Sequence, residues 1–131
     1  MTRREIREHI FLMLFRKDFY KTDELNEQKD LYISELPQPT IKENTYLAER
    51  FQAVLEHIEQ IDKLLSEASA GWKLERMGKV ELTILRLAVY EMRYDDDIPI
   101  KVAINEAVEL SKKYGGDSTP GFVNGILAKL V

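Results

Sequence analysis

The segment KVELTILRLAVYEMR, residues 79–93, limits what this chain can fold into more than any other feature. It is typical of a helix, and its apolar residues fall on almost every side of that helix instead of along one stripe. Such a helix must be surrounded by other elements, because apolar side chains left in water on all sides oppose folding. We therefore expect it at the centre of a core that the rest of the chain builds.

Helical periodicity also runs through the middle of the chain. Capping-box spacing, in which Ser or Thr precedes Glu by three residues, occurs at Thr2–Glu5 and again at Thr40–Glu43. After Thr40, apolar residues alternate at intervals of four and three, which predicts one helix that ends near Gly71. This apolar seam consists of Leu47, Phe51, Val54, Ile58, Ile61 and Leu65.

Turn and capping signals mark the remaining elements, and no β-alternating run competes with them. The signals are Asp23 for a short helix to about Leu31, Pro37 and Pro39 for a linker, Pro99 and Gly115 for the ends of another helix, and Ser118 or Thr119 with Pro120 for the last helix. The predicted fold is all-α, with about seven helices in a single domain over residues 1–131. The main breaks are the Pro37–Pro39 linker and the Gly71 region, and we expect sub-bundles of roughly residues 1–70 and 71–131.

Composition excludes several classes of protein. The chain is 44% hydrophobic and 32% charged, as folded proteins are, and no apolar run approaches the roughly 20 residues that span a bilayer. It has no cysteine, which excludes a disulfide framework, thiolate catalysis and cysteine-bound zinc. We expect a cytoplasmic protein with no membrane segment.

The charge of the chain is unevenly distributed. The net charge is −4, but residues 1–21 carry six basic and three acidic side chains, whereas residues 22–70 carry four and eleven. A basic N-terminal segment in an otherwise acidic chain suggests a local anion-binding patch formed by Arg3, Arg4 and Arg7. The alternative is that these arginines only solvate the end of a helix.

Nothing in the sequence indicates an active site, so we expect a binding protein that needs no cofactor and no metal. His9 and His57 lie on different predicted helices with no motif around them. The chain has no glycine-rich phosphate loop, nucleophile elbow or metal-ligand spacing. The consecutive residues Asp95, Asp96 and Asp97 point in different directions and indicate a solvated loop.

The last helix contains an unusual arrangement around Phe122. Gly121 and Gly125 flank it, although each interior glycine costs a helix roughly 1 kcal/mol relative to alanine. Phe122 lies at the edge of the apolar stripe of this helix. Either Phe122 is a platform on which bases stack, or it turns inward and the glycines let another helix approach.

Three motifs of the C-terminal half closely resemble those of the NusB transcription antitermination factors. They are ILRLAVYE, PIKVAINEAVEL and FVNGIL, and the arginines of the first helix agree with them. The resemblance implies two small helical bundles packed together. It also implies that the protein pairs with a small-subunit ribosomal protein, NusE, and binds the single-stranded boxA element of nascent RNA. Such pairs support antitermination by RNA polymerase, notably on ribosomal RNA operons.

The resemblance assigns roles to particular residues. It implies RNA contacts by Arg3, Arg4, Arg7 and Phe122. Further candidates for RNA contact are Arg86, which needs an acceptor in an otherwise apolar helix, and Lys101 and Asn105, which lie one helical turn apart. It implies partner contacts by Phe15, Glu75 and Glu81. Other interpretations stay open: an internal ion pair for Arg86, support of the last helix by Lys101 and Asn105, a core position for Phe15 and plain surface charges for both glutamates.

The chain departs from the usual family pattern at Ser118, where relatives often carry an acidic residue, and at Gly121, where lysine is common. A competing hypothesis is a helical protein-binding scaffold whose partner supplies all contact with RNA. We do not expect an RNA methyltransferase fused to such a domain, because these residues leave no room for a cofactor domain. A homodimer of the free protein, through the surfaces that its partner would cover, also stays open.

Overall fold

The computed structural model describes residues 1–37 and 39–131, and these form helices and turns with no strand among them. Seven α-helices follow one another: α1 (Arg3–Arg16), α2 (Leu25–Ser34), α3 (Ile41–Glu56), α4 (Ile58–Ala68), α5 (Lys79–Tyr94), α6 (Ile100–Tyr114) and α7 (Thr119–Ala128). Short 3-10 turns occur at Lys17–Phe19, Thr22–Glu24 and Leu74–Arg76. The prediction of an all-α fold with about seven helices is confirmed.

Two helices begin with the capping boxes that the sequence predicts. At α1, the Glu5 amide donates to Thr2 Oγ1 at 3.1 Å and the Thr2 amide donates to Glu5 Oε1 at 3.1 Å. At α3, the corresponding bonds between Glu43 and Thr40 measure 3.0 and 2.9 Å. Each box satisfies two amide groups that have no partner within the helix.

The chain forms two compact units, Met1–Leu55 and Glu56–Val131. In the first unit, α1 and α3 supply the buried apolar side chains, which are Ile10, Phe11, Met13, Leu14, Leu47, Phe51 and Val54. In the second unit, α5 packs against α4, α6 and α7. Nine of its 16 residues are buried, as its all-round apolar pattern predicts.

The long helix predicted from Thr40 to Gly71 is two helices, because the backbone leaves the helical region at His57 (φ −105°, ψ 7°). The His57 ring lies 4.1 Å from the ring of Tyr94 and 5.8 Å from that of Tyr90, centroid to centroid. The boundary between the units falls at this break, whereas the sequence placed the division near residue 70. Helix α4 belongs to the second unit because it packs on α5.

No helix within residues 1–37 and 39–131 combines the length and the apolar character that crossing a membrane requires.

Candidate nucleic-acid interface

Hydrogen bonds through Thr119 fix the loop that leads into α7. Thr119 is buried, and its Oγ1 accepts from the Gly116 amide at 3.0 Å and donates to Glu81 Oε1 at 3.0 Å. A Cβ on Gly115 would lie 2.6 Å from the Cβ of Thr119. Glycine is therefore needed at position 115 for space, since its backbone is extended (φ −100°, ψ −178°) and suits any residue.

Phe122 lies one turn into α7 beside an open surface. Gly121 and Gly125 are both exposed, and a Cβ on either would meet nothing within 4 Å. Among the described residues, therefore, these glycines do not make room for a neighbouring helix. Phe122 itself is half-buried, and its ring meets the ring of Trp72 edge-on, with centroids 5.8 Å apart and planes at 77°.

The other predicted RNA contacts lie on α1 and α6. Arg3 and Arg4 are exposed in the first turn of α1, and Arg7 is half-buried one turn after Arg3, in the first unit. Lys101 and Asn105 are exposed, one turn apart on α6, in the second unit with Phe122. Each unit thus carries its own group of candidate residues.

Arg86 forms the internal ion pair that was the alternative to an RNA contact. Its Nε and Nη2 each donate to one carboxylate oxygen of Asp62 at 2.8 Å, and its side chain is only 13% exposed. This two-point pairing ties α5 to α4. The sequence did not identify Asp62 as the acceptor, because the two residues are 24 positions apart with no motif linking them.

The residues predicted to contact a partner have different surroundings. Phe15 is half-buried between the buried Phe11 and the 62% exposed Phe19, with ring centroids 6.2 and 5.7 Å away. Glu75 is exposed on the turn Leu74–Arg76. Glu81 is half-buried in the first turn of α5 and accepts the Thr119 hydrogen bond. It therefore has a structural role that its sequence position did not reveal.

Both histidines make contacts within the fold. His9 Nδ1 lies 2.8 Å from the hydroxyl of Tyr32, and burial raises the pKa of that phenol. His57 packs on Tyr90 and Tyr94. In the described part of the chain, no group of three or more His, Cys, Asp or Glu side chains is arranged to hold a metal ion.

Two exposed aromatic residues that contact candidate side chains carried no recognised motif in the sequence. They are Phe19, next to Phe15, and Trp72, next to Phe122. Trp72 is 58% exposed and follows Gly71, where a helix was predicted to end. The only sequence signal for Trp72 was that a large aromatic residue stands where a helix was predicted to end.

The chain is similar to proteins of one family along its whole length. Residues 4–131 match the model of the NusB family. The transcription antitermination protein NusB of Lachnoclostridium phytofermentans is 58% identical over 131 residues, which are 100% of this chain and 99% of that protein. The protein of the same name from Agathobacter rectalis is 55% identical over 129 residues, 98% of each chain.

Solved structures agree with these sequence matches. T. maritima NusB superimposes with a TM-score of 0.87 at 33% identity, covering 99% of this chain and 90% of that one. A chain in the crystal structure of the antitermination factors NusB and NusE in complex with dsRNA gives a TM-score of 0.81 at 27% identity. That match covers 98% of this chain and 94% of the other.

Proposed function

Because this chain belongs to the NusB family of transcription antitermination proteins, which is not an enzyme family, we propose that it binds boxA RNA together with the ribosomal protein NusE. The pair would act on nascent transcripts, notably of ribosomal RNA operons, within the antitermination complex of RNA polymerase in the cytoplasm. A relative of 27% identity has been solved with NusE and dsRNA, which supports both kinds of partner.

The observation that carries the proposal is the surface of α7 around Phe122. The Phe122 ring is half-buried, and the residue before it and the residue one turn after it are both glycine. No side chain therefore covers the ring from either of these positions. Aromatic rings of this kind stack on bases, and only unpaired bases expose a face for stacking. The ring therefore favours a single-stranded RNA ligand over a duplex.

Charged side chains would hold the RNA backbone. We assign phosphate contacts to Arg3, Arg4 and Arg7 on α1, and further contacts to Lys101 and Asn105 on α6. Arg86 is left out of the proposed site, since Asp62 engages its guanidinium. Cationic contacts of this kind supply affinity without sequence preference, whereas base contacts supply the preference.

A second group of residues would contact NusE. The row of rings from Phe11 through Phe15 to Phe19 runs from the core to an exposed position, and aromatic residues are enriched in protein interfaces. Glu75 is exposed and would add acidic contacts, together with Glu81. The exposed Phe19 also favours the alternative hypothesis, a scaffold that binds protein only. That scaffold would hold its partner equally well after RNase treatment and would not itself contact RNA.

Fluorescence anisotropy of a labelled boxA RNA, titrated with the protein alone and with NusE, tests the proposal. We expect tighter binding with NusE, a preference over a scrambled RNA, and a loss of affinity in Phe122→Ala that exceeds its loss of stability. The absence of any preference for boxA, with and without NusE, would reject RNA recognition. RNA binding by the pair that is insensitive to Phe122→Ala and to the arginine substitutions would favour the scaffold.

A further inference from the structure

Trp72 is the largest exposed aromatic side chain of the second unit, and its role is not explained by the fold. It is 58% exposed, it is the single tryptophan of the chain, and it stands edge-on to Phe122 at 5.8 Å. An indole ring left in water gains nothing for folding from its exposed surface. Its position next to the proposed base platform therefore calls for a ligand.

The backbone that presents Trp72 is unusual. Ala70 and Gly71 both adopt left-handed conformations, with φ of 50° and 97°, and Ala70 is the only residue other than glycine with positive φ in the described chain. The turn is closed by the Trp72 amide, which donates to the Ser69 carbonyl at 3.1 Å. The buried Ser69 hydroxyl lies 2.7 Å from the Trp72 carbonyl and donates to it.

Consecutive positive φ values at the two central residues, with this hydrogen bond, are those of a type I′ turn, whose positions normally belong to glycine, asparagine or aspartate. Alanine is disfavoured there, and residues held in disfavoured conformations concentrate at binding sites. The buried serine holds the turn closed. The backbone of Trp72 is thus fixed in place although its side chain is exposed.

We propose that Trp72 and Phe122 form an aromatic corner that binds two consecutive bases of single-stranded RNA, one base on the face of each ring. This inference rests on the proposed function and adds a second base-binding residue to it. Since the two ring planes stand at 77°, bases lying flat on them cannot remain stacked on each other. The corner therefore selects a step at which the RNA strand turns and two neighbouring bases separate. Lys73, exposed and next in sequence, supplies a cation for the phosphate of that step.

The single tryptophan makes a direct test possible. We expect boxA RNA to quench the intrinsic fluorescence of the protein–NusE pair, with the same midpoint as the anisotropy of the labelled RNA. Trp72→Phe provides the blank that removes any emission from NusE. It keeps a flat ring and should bind RNA nearly as well as the wild type.

Trp72→Ala should weaken RNA binding about 5- to 140-fold, the range for one lost stack between a base and an aromatic ring. Tyr94→Ala is the matched control. Tyr94 is another exposed aromatic residue of the second unit, 37% exposed, and its ring contacts are His57 and Tyr90. Its removal should leave RNA affinity unchanged. Thermal unfolding of both variants shows whether a loss of RNA affinity comes from a loss of folding. The quenching experiment uses the wild-type protein, so its result does not depend on whether a variant folds.

Several results would overturn the aromatic corner. RNA that raises anisotropy without quenching Trp72, or that quenches it while Trp72→Ala binds with unchanged affinity, removes Trp72 from the site and leaves the proposed function standing. A loss of NusE affinity alone in Trp72→Ala assigns the ring to a protein interface. No binding of boxA RNA by the wild-type pair rejects both the corner and the proposed function.

Discussion

At the scale of single residues, one hydroxyl group organises the loop before α7. Thr119 Oγ1 accepts a hydrogen bond from the Gly116 amide and donates one to Glu81 Oε1, and the side chain is only 3% exposed. Water therefore has little access to replace either bond. A buried polar group that loses its partner costs more free energy than the bond itself contributed.

We predict that Thr119→Val lowers the free energy of unfolding by about 1–3 kcal/mol, since valine keeps the shape but leaves Gly116 and Glu81 without this partner. Urea denaturation measures the change. Ser118→Ala is the control, because Ser118 precedes α7 without a side-chain capping bond and is exposed. It should alter stability by less than about 0.5 kcal/mol. Equal losses in the two variants would contradict the role of Thr119.

The glycines around Phe122 give a second prediction at this scale. Gly121→Ala and Gly125→Ala should each raise the free energy of unfolding by up to about 1 kcal/mol, because a Cβ there meets open space and alanine favours a helix. Both should weaken RNA binding, since the added methyl groups would project into the open space of the α7 surface that the RNA is proposed to cover. Gly115→Ala is the contrasting variant and should be destabilising, because its Cβ would collide with Thr119. Stabilised variants with unchanged RNA affinity would show that the open face is not used.

At the scale of elements, the start of α1 couples helix formation to pH. Hydrogen bonds from the backbone and side chain of Thr2 lower the pKa of Glu5 below its ordinary value of 4.5. A carboxylate with a lowered pKa in the folded state stabilises the fold above its unfolded pKa. That stabilisation is lost as the pH falls through the folded pKa.

We therefore predict that Glu5→Gln reduces the loss of stability on acidification below about pH 4.5. Glutamine can still accept the Thr2 hydrogen bond in a capping box, but it does not titrate. Denaturant midpoints of wild type and variant, measured from pH 6 to pH 3, should differ most at pH 6 and converge in acid. A difference in midpoint that stays constant across this pH range would show that Glu5 does not cause the loss of stability in acid.

The elements also show what the sequence could and could not predict. The capping boxes at Thr2 and Thr40 depend on residues three positions apart, so spacing alone identified them. The break at His57 left no such mark, because the apolar seam continues across it without glycine or proline. It is accompanied by contacts of the His57 ring with Tyr90 and Tyr94, more than 30 positions away in the sequence. Local periodicity carries no information about contacts of that kind.

At the scale of the whole molecule, charge is segregated along the chain. The net charge is −4, yet the first 21 residues carry twice as many basic as acidic side chains. A protein that is acidic overall repels RNA except where a local cationic group outweighs the remainder. RNA affinity should accordingly depend on a few arginines and vary with salt.

We predict that Arg3→Ala with Arg4→Ala lowers RNA affinity and reduces the slope of log K against log salt by about 1.4, near 0.7 for each phosphate contact with a single strand. Anisotropy titrations at several salt concentrations measure the slope. Lys112→Ala with Lys113→Ala removes two exposed cations from the end of α6 as a control. An unchanged slope in the arginine variant would exclude these residues from the RNA site.

Some residues of the candidate site could be predicted from the sequence, and others could not. The open flank of Phe122 followed from helical spacing, because residues 121, 122 and 125 lie on one short stretch of helix. Trp72 and Asp62 did not, because each meets its partner through the fold, Trp72 at Phe122 and Asp62 at Arg86. Residues paired across elements were therefore missed, although the helices that carry Arg86 and Phe122 were predicted.

The close approach of Gly115 to Thr119 also bears on how sequences of this kind can diverge. A Cβ at position 115 would occupy the space that the Thr119 side chain fills, so Gly115 is not free to change while Thr119 is present. A residue larger than glycine at 115 requires the loss of the Thr119 Cβ, and with it the hydroxyl that donates to Glu81. We expect positions 81, 115 and 119 to co-vary as a set among relatives, with substitutions arising in an order that changes residue 119 before residue 115.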